Sequence, residues 1–223
     1  MSQESIGLIG GTGPQGRGLA MRLAQAGFRV WVGSRSPERA KETAASLNTQ
    51  AGTTNIDGAG NAEVVAGSKY VLLTVPFDSA AQTVEGLSGH FTAGKVFVDV
   101  TVPLRFEKGG PTIVELPEGS ASAHLRRIVP EGIPFVGAFK TLPAHLLEHV
   151  YTPLECDTFV FGDDESAKAE VMEIARRIPT LRPVDVGDLG AAPFVEGMTA
   201  LVIRINRTLK SREGRYRIVG AGP

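Results

Sequence analysis

Two short stretches carry residue types whose spacing could do chemistry. The first is Gly10-Gly11-Thr12-Gly13-Pro14-Gln15-Gly16, in which Gly11, Gly13 and Gly16 fit G-x-G-x-x-G. Glycine at the first place permits a tight turn, at the second lets a pyrophosphate approach the backbone, and at the third lets a helix pack closely on a strand. Pro14 suits a first helical turn, where its missing N–H costs nothing. The second stretch, Val32-Gly33-Ser34-Arg35-Ser36, stands where an NAD-binding chain would carry an Asp or Glu for the ribose 2′-hydroxyl. Here the hydroxyl of Ser34, the guanidinium of Arg35 and, one helical turn on, the cation of Arg39 make a pocket for a 2′-phosphate. The pair of motifs points to NADP(H). The plainer alternative is a turn begun by Ser34, with Arg35 and Arg39 solvated.

Strands and helices must alternate to position such a pair. Ser5–Gly10, Phe28–Val32, Lys69–Val75 and Lys95–Val100 read as buried strands, and Pro14–Gly27 and Pro37–Leu47 as helices. The rhythm predicts an α/β fold of the Rossmann type, a doubly wound parallel sheet, with a small C-terminal helical portion. We expect residues 1–150 to form the NADP-binding domain and 151–223 to complete the cleft. Thr101–Gly119, rich in Gly, Pro and charge, reads as a long loop of the kind that covers a substrate. Strands Phe135–Phe139, Thr158–Gly162 and Leu181–Val186, a helix over Glu165–Ile178 and a closing helix from about Ala192 to Leu209 follow. On that last helix Glu196 lies among Met198, Leu201, Val202 and Ile205, a face for packing on the domain or on a second subunit.

Composition removes several classes of partner. A formal net charge of −1 and an isoelectric point near 6.4 provide no basic field for nucleic acid or an anionic membrane. The single Cys156 forms no intrachain disulfide, and the polar start Met1–Ser5 lacks the basic and apolar regions of a signal peptide, so a cytoplasmic protein is expected. No metal is expected. His145-Leu146-Leu147-Glu148-His149 spells H-x-x-E-H, a zinc peptidase pattern, but exposed helix histidines are the plainer reading. Cys156, between Glu155 and Asp157, reads as packing, and Asp163-Asp164-Glu165 as a helix cap.

Taken together, G-G-T-G-P-Q-G-R-G-L-A and V-G-S-R-S-P-E-R-A resemble the NADPH-dependent reductase family of the deazaflavin coenzyme F-420. The likeness continues through Thr74–Phe77 (T-V-P-F), Val98–Leu104, Gly137–Ala144 (G-A-F-K-T-L-P-A), Phe161–Lys168, Leu181–Leu189 and Val195–Asn206, nearly the whole chain. The resemblance implies hydride transfer between NADP(H) and F-420, with the rings stacked in a cleft and often a homodimer around it. It places Thr12, Ser34, Arg35 and Arg39 on the NADP side, Thr74, Val75 and Pro76 beside the nicotinamide ribose, and Ala138 and Phe139 against the nicotinamide. Val102, Pro103, Thr141 and Pro143 would line the second substrate, with Lys140 as the residue nearest the chemistry. Two departures fall there: Lys140 replaces a His that often follows A-F, and Gly190-Ala191-Ala192-Pro193 replaces polar residues. An NADPH-dependent reductase of a flavin or other small acceptor, or a protein that senses NADP(H) without turnover, are the alternatives.

Overall fold

The computed structural model describes residues 5–220; the opening residues 1–4, read above for targeting, lie outside them. Strands β1 (Ser5–Ile9), β2 (Arg29–Ser34), β3 (Ile56–Gly60), β4 (Tyr70–Leu73) and β5 (Val96–Asp99) alternate with helices α1 (Pro14–Gln25), α2 (Pro37–Ala51), α3 (Asn61–Gly67) and α4 (Phe77–Leu87). A hairpin of β6 (Leu104–Glu107) and β7 (Gly110–Ile113) leads to α5 (Ala121–Arg126), β8 (Phe135–Gly137) and α6 (Ala144–Glu148). The chain finishes with β9 (Cys156–Val160), α7 (Glu165–Arg176), β10 (Leu181–Asp185) and α8 (Ala192–Leu209).

Six strands form one parallel sheet in the order β3-β2-β1-β4-β5-β8. The chain winds outward from β1 to β3 and then crosses to β4, so the order reverses between β1 and β4. Loops leaving neighbouring strands part there and open a crevice beyond the carboxyl ends of the strands. Helices cover both faces, which is why Ile6, Leu8, Val71 and Leu73 have no exposed surface and their strands read as continuous apolar runs. A second, two-stranded parallel sheet of β9 and β10 meets the first through a bridge between Gly137 and Phe161. Gly137 has no room for a side chain, because a Cβ there would lie 2.1 Å from the Phe161 ring. One apolar cluster runs from Ile6 through Leu147 to Val160, Val171 and Leu181, so the expected division at residue 150 crosses a shared core.

Three differences from the sequence reading have physical causes. Strand β3 (I-D-G-A-G) lacks a β-branched run and gave no strand signal. Gly58 at its centre lets it lie against α2, where a Cβ would meet the Ala40 backbone at 2.3 Å. The expected loop after Val100 is in part the β6–β7 hairpin, whose strands pair with each other and rest on α8, so they need no apolar alternation. Helix α2 runs on past Leu47 to Ala51 and ends at Gly52, which takes the left-handed conformation. The cap read at Asp164 is present: its carboxylate accepts from the Ala167 amide at 2.9 Å. Cys156 is buried, and burial pushes its thiol up to about 11, the setting of a packing residue.

Helix α1 is anchored from below by a buried cation. Arg22 is 4% exposed and donates to the carbonyls of Leu147, Leu146, His149 and Thr152 at 3.2, 2.9, 2.8 and 2.8 Å. It thereby satisfies the carbonyl end of α6 and the turn that follows. Arg22→Met keeps most of the volume and strands these carbonyls, so it should cost roughly 3 kcal/mol or more of stability in urea denaturation.

Candidate active site at the switch point

The glycine loop is built as its spacing requires. Gly10 adopts φ +72°, and the Gly11 amide donates to Leu8 and Gly33 carbonyls at 3.1 and 3.0 Å, which ties the end of β1 to that of β2. A Cβ at Gly16 would stand 2.6 Å from Gly11 Cα and 2.8 Å from Thr74 Oγ1, so the third glycine is what lets α1 close on the sheet. At Gly13 a Cβ would find only the Gly10 carbonyl, at 3.7 Å, leaving this face open to an incoming phosphate. Gly13 caps α1 with no side-chain hydrogen bond, and Pro14 opens the helix. The first-turn amides of Gln15 and Gly16 therefore point at that open face with the positive end of the helix dipole behind them.

At the end of β2, Ser34 is nearly buried and its Oγ accepts from the Ser36 amide at 3.2 Å, while Ser36 caps α2 through the Arg39 amide at 3.3 Å. Arg35 and Arg39 are exposed, and among the described residues neither pairs with a carboxylate. The end of β2 thus carries two exposed guanidiniums close in sequence to the Ser34 hydroxyl, and the Gly11–Gly33 bond ties this strand end to the glycine loop.

Across the switch point, Thr74 Oγ1 donates to the Ile9 carbonyl at 2.9 Å, and Val75 and Pro76 lead into α4. The turn after β8 comes to the same edge. Ala138 donates to the Asp99 carbonyl at 3.1 Å, and Phe139 adopts φ +59°, donates to Thr158 Oγ1 at 2.9 Å and accepts from Gln15 Nε2 at 3.2 Å. That last bond links the glycine loop directly to the turn expected beside the nicotinamide. Thr12 lies in the glycine loop itself. Val102 and Pro103 form the base of the β6–β7 hairpin through bonds of 2.9 and 2.7 Å, Pro143 opens α6, and Thr141 is buried with no partner for its hydroxyl.

Lys140 requires a correction. Its side chain has no exposed surface, so it neither lines a cleft nor lies on the outside. The ammonium contacts Asp99 Oδ2 at 2.7 Å, donates to the Thr101 carbonyl and stands 3.6 Å from Glu196 Oε1. Asp99 uses every acceptor position: Oδ1 takes the Thr101 amide and hydroxyl, and Oδ2 takes Lys140 and the Ser122 hydroxyl at 2.7 Å. Glu196, also fully buried, accepts from the amides of Ala121 and Ser122 at 3.0 and 3.1 Å. Burial pushes its carboxyl above the usual range, against the opposing pull of Lys140. A lone acid in the apolar run V-F-V-D-V was the signal that something buried must answer it. The replaced polar segment has a similar cause: Ala192 is fully buried against Phe159, Phe161 and Val195 at the start of α8.

The histidine motif gathers no site. Glu148 pairs with Arg17 at 3.1 Å, His149 Nδ1 contacts the His145 carbonyl, and both histidines are exposed. Among the described residues no three His, Cys, Asp or Glu side chains converge as metal ligands, and no helix is long and apolar enough to cross a membrane.

Residues 5–103, from the glycine loop to the base of the hairpin, match the family profile described as NADP oxidoreductase coenzyme F420-dependent. The F420-dependent NADP reductase of Methanothermobacter thermautotrophicus is 35% identical over 218 residues, 96% of this chain and 94% of that protein. The chain belongs to the F420-dependent NADP reductase family. Its relative in Methanocaldococcus jannaschii is 33% identical over 96% of this chain and 97% of its own length. A crystal structure from Arthrobacter sp. FB24, of a candidate F420-dependent NADP reductase, superposes with a TM-score of 0.80 at 27% identity, covering 96% of this chain and 98% of that one. Like its relatives, this member of the reductase family is an oxidoreductase on an α/β Rossmann-type fold, and the family implies NADP(H) with F-420 as co-substrate.

Because Glu196 is raised by burial, its contribution to stability is complete below its ordinary carboxyl value and is lost as pH climbs through the raised one. Urea midpoints measured from about pH 5 to about pH 9 should show the wild type losing ground to Glu196→Gln as pH rises, with the variant flat in this respect.

Proposed function

We propose that this chain moves hydride between NADP(H) and coenzyme F-420 at the crevice where the strand order reverses. The observation that carries the NADP half is the pair of unpaired guanidiniums, Arg35 and Arg39, beside Ser34 at the end of β2. The open face of Gly13 and the free amides of the first turn of α1 would hold the pyrophosphate. Thr74, Val75, Pro76, Ala138 and Phe139 would receive the nicotinamide end, and Val102, Pro103, Thr141 and Pro143 the deazaflavin.

The two coenzymes supply the hydride chemistry themselves. What the chain contributes is placement. Gln15 and Phe139 join the phosphate loop to the nicotinamide-side turn, and Gly16 and Thr74 set how closely α1 approaches β4. Reacting atoms must come within roughly 3 to 3.5 Å; Val75 offers a part-exposed apolar wall, while Ala138 and Phe139, whose side chains are buried, serve through their backbone. Lys140 acts from beneath, through the backbone of its own turn, and is a positioning residue.

A homodimer accords with α8, which exposes Phe194 (76%), Leu201 (51%) and Leu209 (69%) along one side. A cytoplasmic setting accords with use of a soluble dinucleotide and with a lone, buried cysteine. Residues 1–150 and 151–223 then act as nucleotide-binding and cleft-completing portions around one core.

The deciding experiment mixes purified protein with NADPH and F-420 and follows deazaflavin absorbance; absence of exchange in either direction would end this reading. Arg35→Ala should weaken NADPH binding by about tenfold to a hundredfold while leaving NADH unchanged, measured by calorimetry. Equal binding of the two nucleotides by the wild type would contradict the assignment of Ser34, Arg35 and Arg39.

A further inference from the structure

Several cations on this chain are answered by carboxylates. Arg17, Arg29, Lys69, Lys168 and Arg182 each have a carboxylate partner within 3.2 Å. Two groups of exposed cations without a carboxylate partner among the described residues stand beyond the carboxyl ends of the strands. One is Arg35 and Arg39 at the end of β2, the pair already described. The other lies on the opposite flank of the switch point, where the hairpin that follows β5 rests on the second half of α8.

Between residues 204 and 217 the sequence has six cations, Arg204, Arg207, Lys210, Arg212, Arg215 and Arg217, against the single acid Glu213, in a chain whose net charge is −1. Arg204 donates to the Pro111 carbonyl and Arg207 to the Lys108 carbonyl, at 3.3 and 3.4 Å, which brings both guanidiniums to the tip of the hairpin beside Lys108. Each guanidinium uses one donor in this way and keeps the others for solvent. Arg204, Arg207 and Lys108 are exposed, and none of them has a carboxylate partner among the described residues.

The position of this cluster follows from α8. That helix passes Glu196 and Thr199, which hold the floor of the nicotinamide-side turn through Lys140, and runs outward to the hairpin. At 1.5 Å per residue, Arg204 and Arg207 stand about 12 and about 16 Å along the helix from Glu196. An acceptor whose ring lies beside Val102 and Pro103, at the base of the hairpin, could therefore extend a side chain of about that length to the hairpin tip. The exposed apolar side of α8, with Phe194 and Leu201, lies about 120° around the helix from Arg207, so a second subunit seated there leaves Arg207 free.

We propose that Lys108, Arg204 and Arg207 form a second anion site, which binds the negatively charged tail carried by the deazaflavin ring, a phosphodiester followed by carboxylates. The proposal rests on the functional reading above and adds a subsite to it. The two cation clusters then bracket the switch point, one for each co-substrate, with the rings meeting between them. Attraction at exposed cations is screened by salt, so the site contributes most at low ionic strength.

Steady-state kinetics with two acceptors tests it: F-420 with its full tail, and the same deazaflavin ring carrying only its uncharged ribityl chain. In the wild type the KM for F-420 should rise with ionic strength more steeply than that for the ring-only acceptor. The triple variant Lys108→Gln, Arg204→Gln, Arg207→Gln should raise the KM for F-420 by about tenfold or more and flatten its salt response. The KM values for NADPH and for the ring-only acceptor should stay within about twofold. Equal losses on both acceptors, or an unchanged KM for F-420, overturn the site. If the variant does not fold, equal salt slopes for the two acceptors in the wild type overturn it as well. Failure of the wild type to reduce either deazaflavin overturns the underlying functional reading, and this subsite with it.

Discussion

Two buried carboxylates around one buried ammonium hold this molecule together at its functional edge. Asp99, Lys140 and Glu196 have essentially no contact with solvent. Removing such charges from water is expensive, and only mutual attraction with every donor and acceptor used can offset it. Asp99 has its acceptor positions filled, and Glu196 takes the amides of Ala121 and Ser122 with the Lys140 ammonium 3.6 Å away. The cluster draws on β5 for Asp99, on the turn after β8 for Lys140, on the start of α5 for the amides of Ala121 and Ser122, and on α8 for Glu196. Four elements far apart in sequence are thus required to meet at one point, directly below the residues assigned to the nicotinamide. The interaction adds little stability over an apolar filling of the same shape, but it strongly penalises any arrangement that separates its members.

Above this floor, the parallel sheet supplies the site by topology alone. Reversal of strand order between β1 and β4 opens the crevice, the glycines lower its wall, and the first turn of α1 brings unsatisfied amides to it. Among the described residues assigned to the crevice, none is a nucleophile or a general base poised over it. Lys140, the candidate for such a role, is committed elsewhere, and the histidines of the H-x-x-E-H stretch lie on the exterior with Glu148 bound to Arg17. A site made of backbone amides, glycine clearances and a few cations suits a reaction in which the reactants hold the chemistry and the protein holds the reactants.

Much of the nucleotide half was legible because its signals are local. The spacing of Gly11, Gly13 and Gly16 encodes backbone clearances within a few residues, and the structure has the turn and the close helix approach that they call for. Strand β3 escaped notice because its pairing depends on Gly58 fitting against the Ala40 backbone, a contact between elements that no period reports. The hairpin escaped for a related reason: its cover comes from α8, nearly a hundred residues later in the chain. Lys140 was set beside the chemistry by resemblance alone, as the residue after Ala138-Phe139 in an otherwise apolar stretch, whereas its partner Asp99 sat unexplained inside an apolar strand. Setting the two anomalies side by side would have suggested that they answer each other.

Phe139 carries a consequence of its own. A bulky residue in the left-handed backbone region costs on the order of 1 kcal/mol, and it persists only where its surroundings impose it. Here the Thr158 hydroxyl, Gln15 and a fully enclosed ring impose it. The peptide that faces the crevice is therefore oriented when the polypeptide first folds, and a dinucleotide arriving later meets a surface already in its working shape. Little conformational freedom remains to be surrendered at that encounter, so more of the contact energy is available for holding the two rings in register.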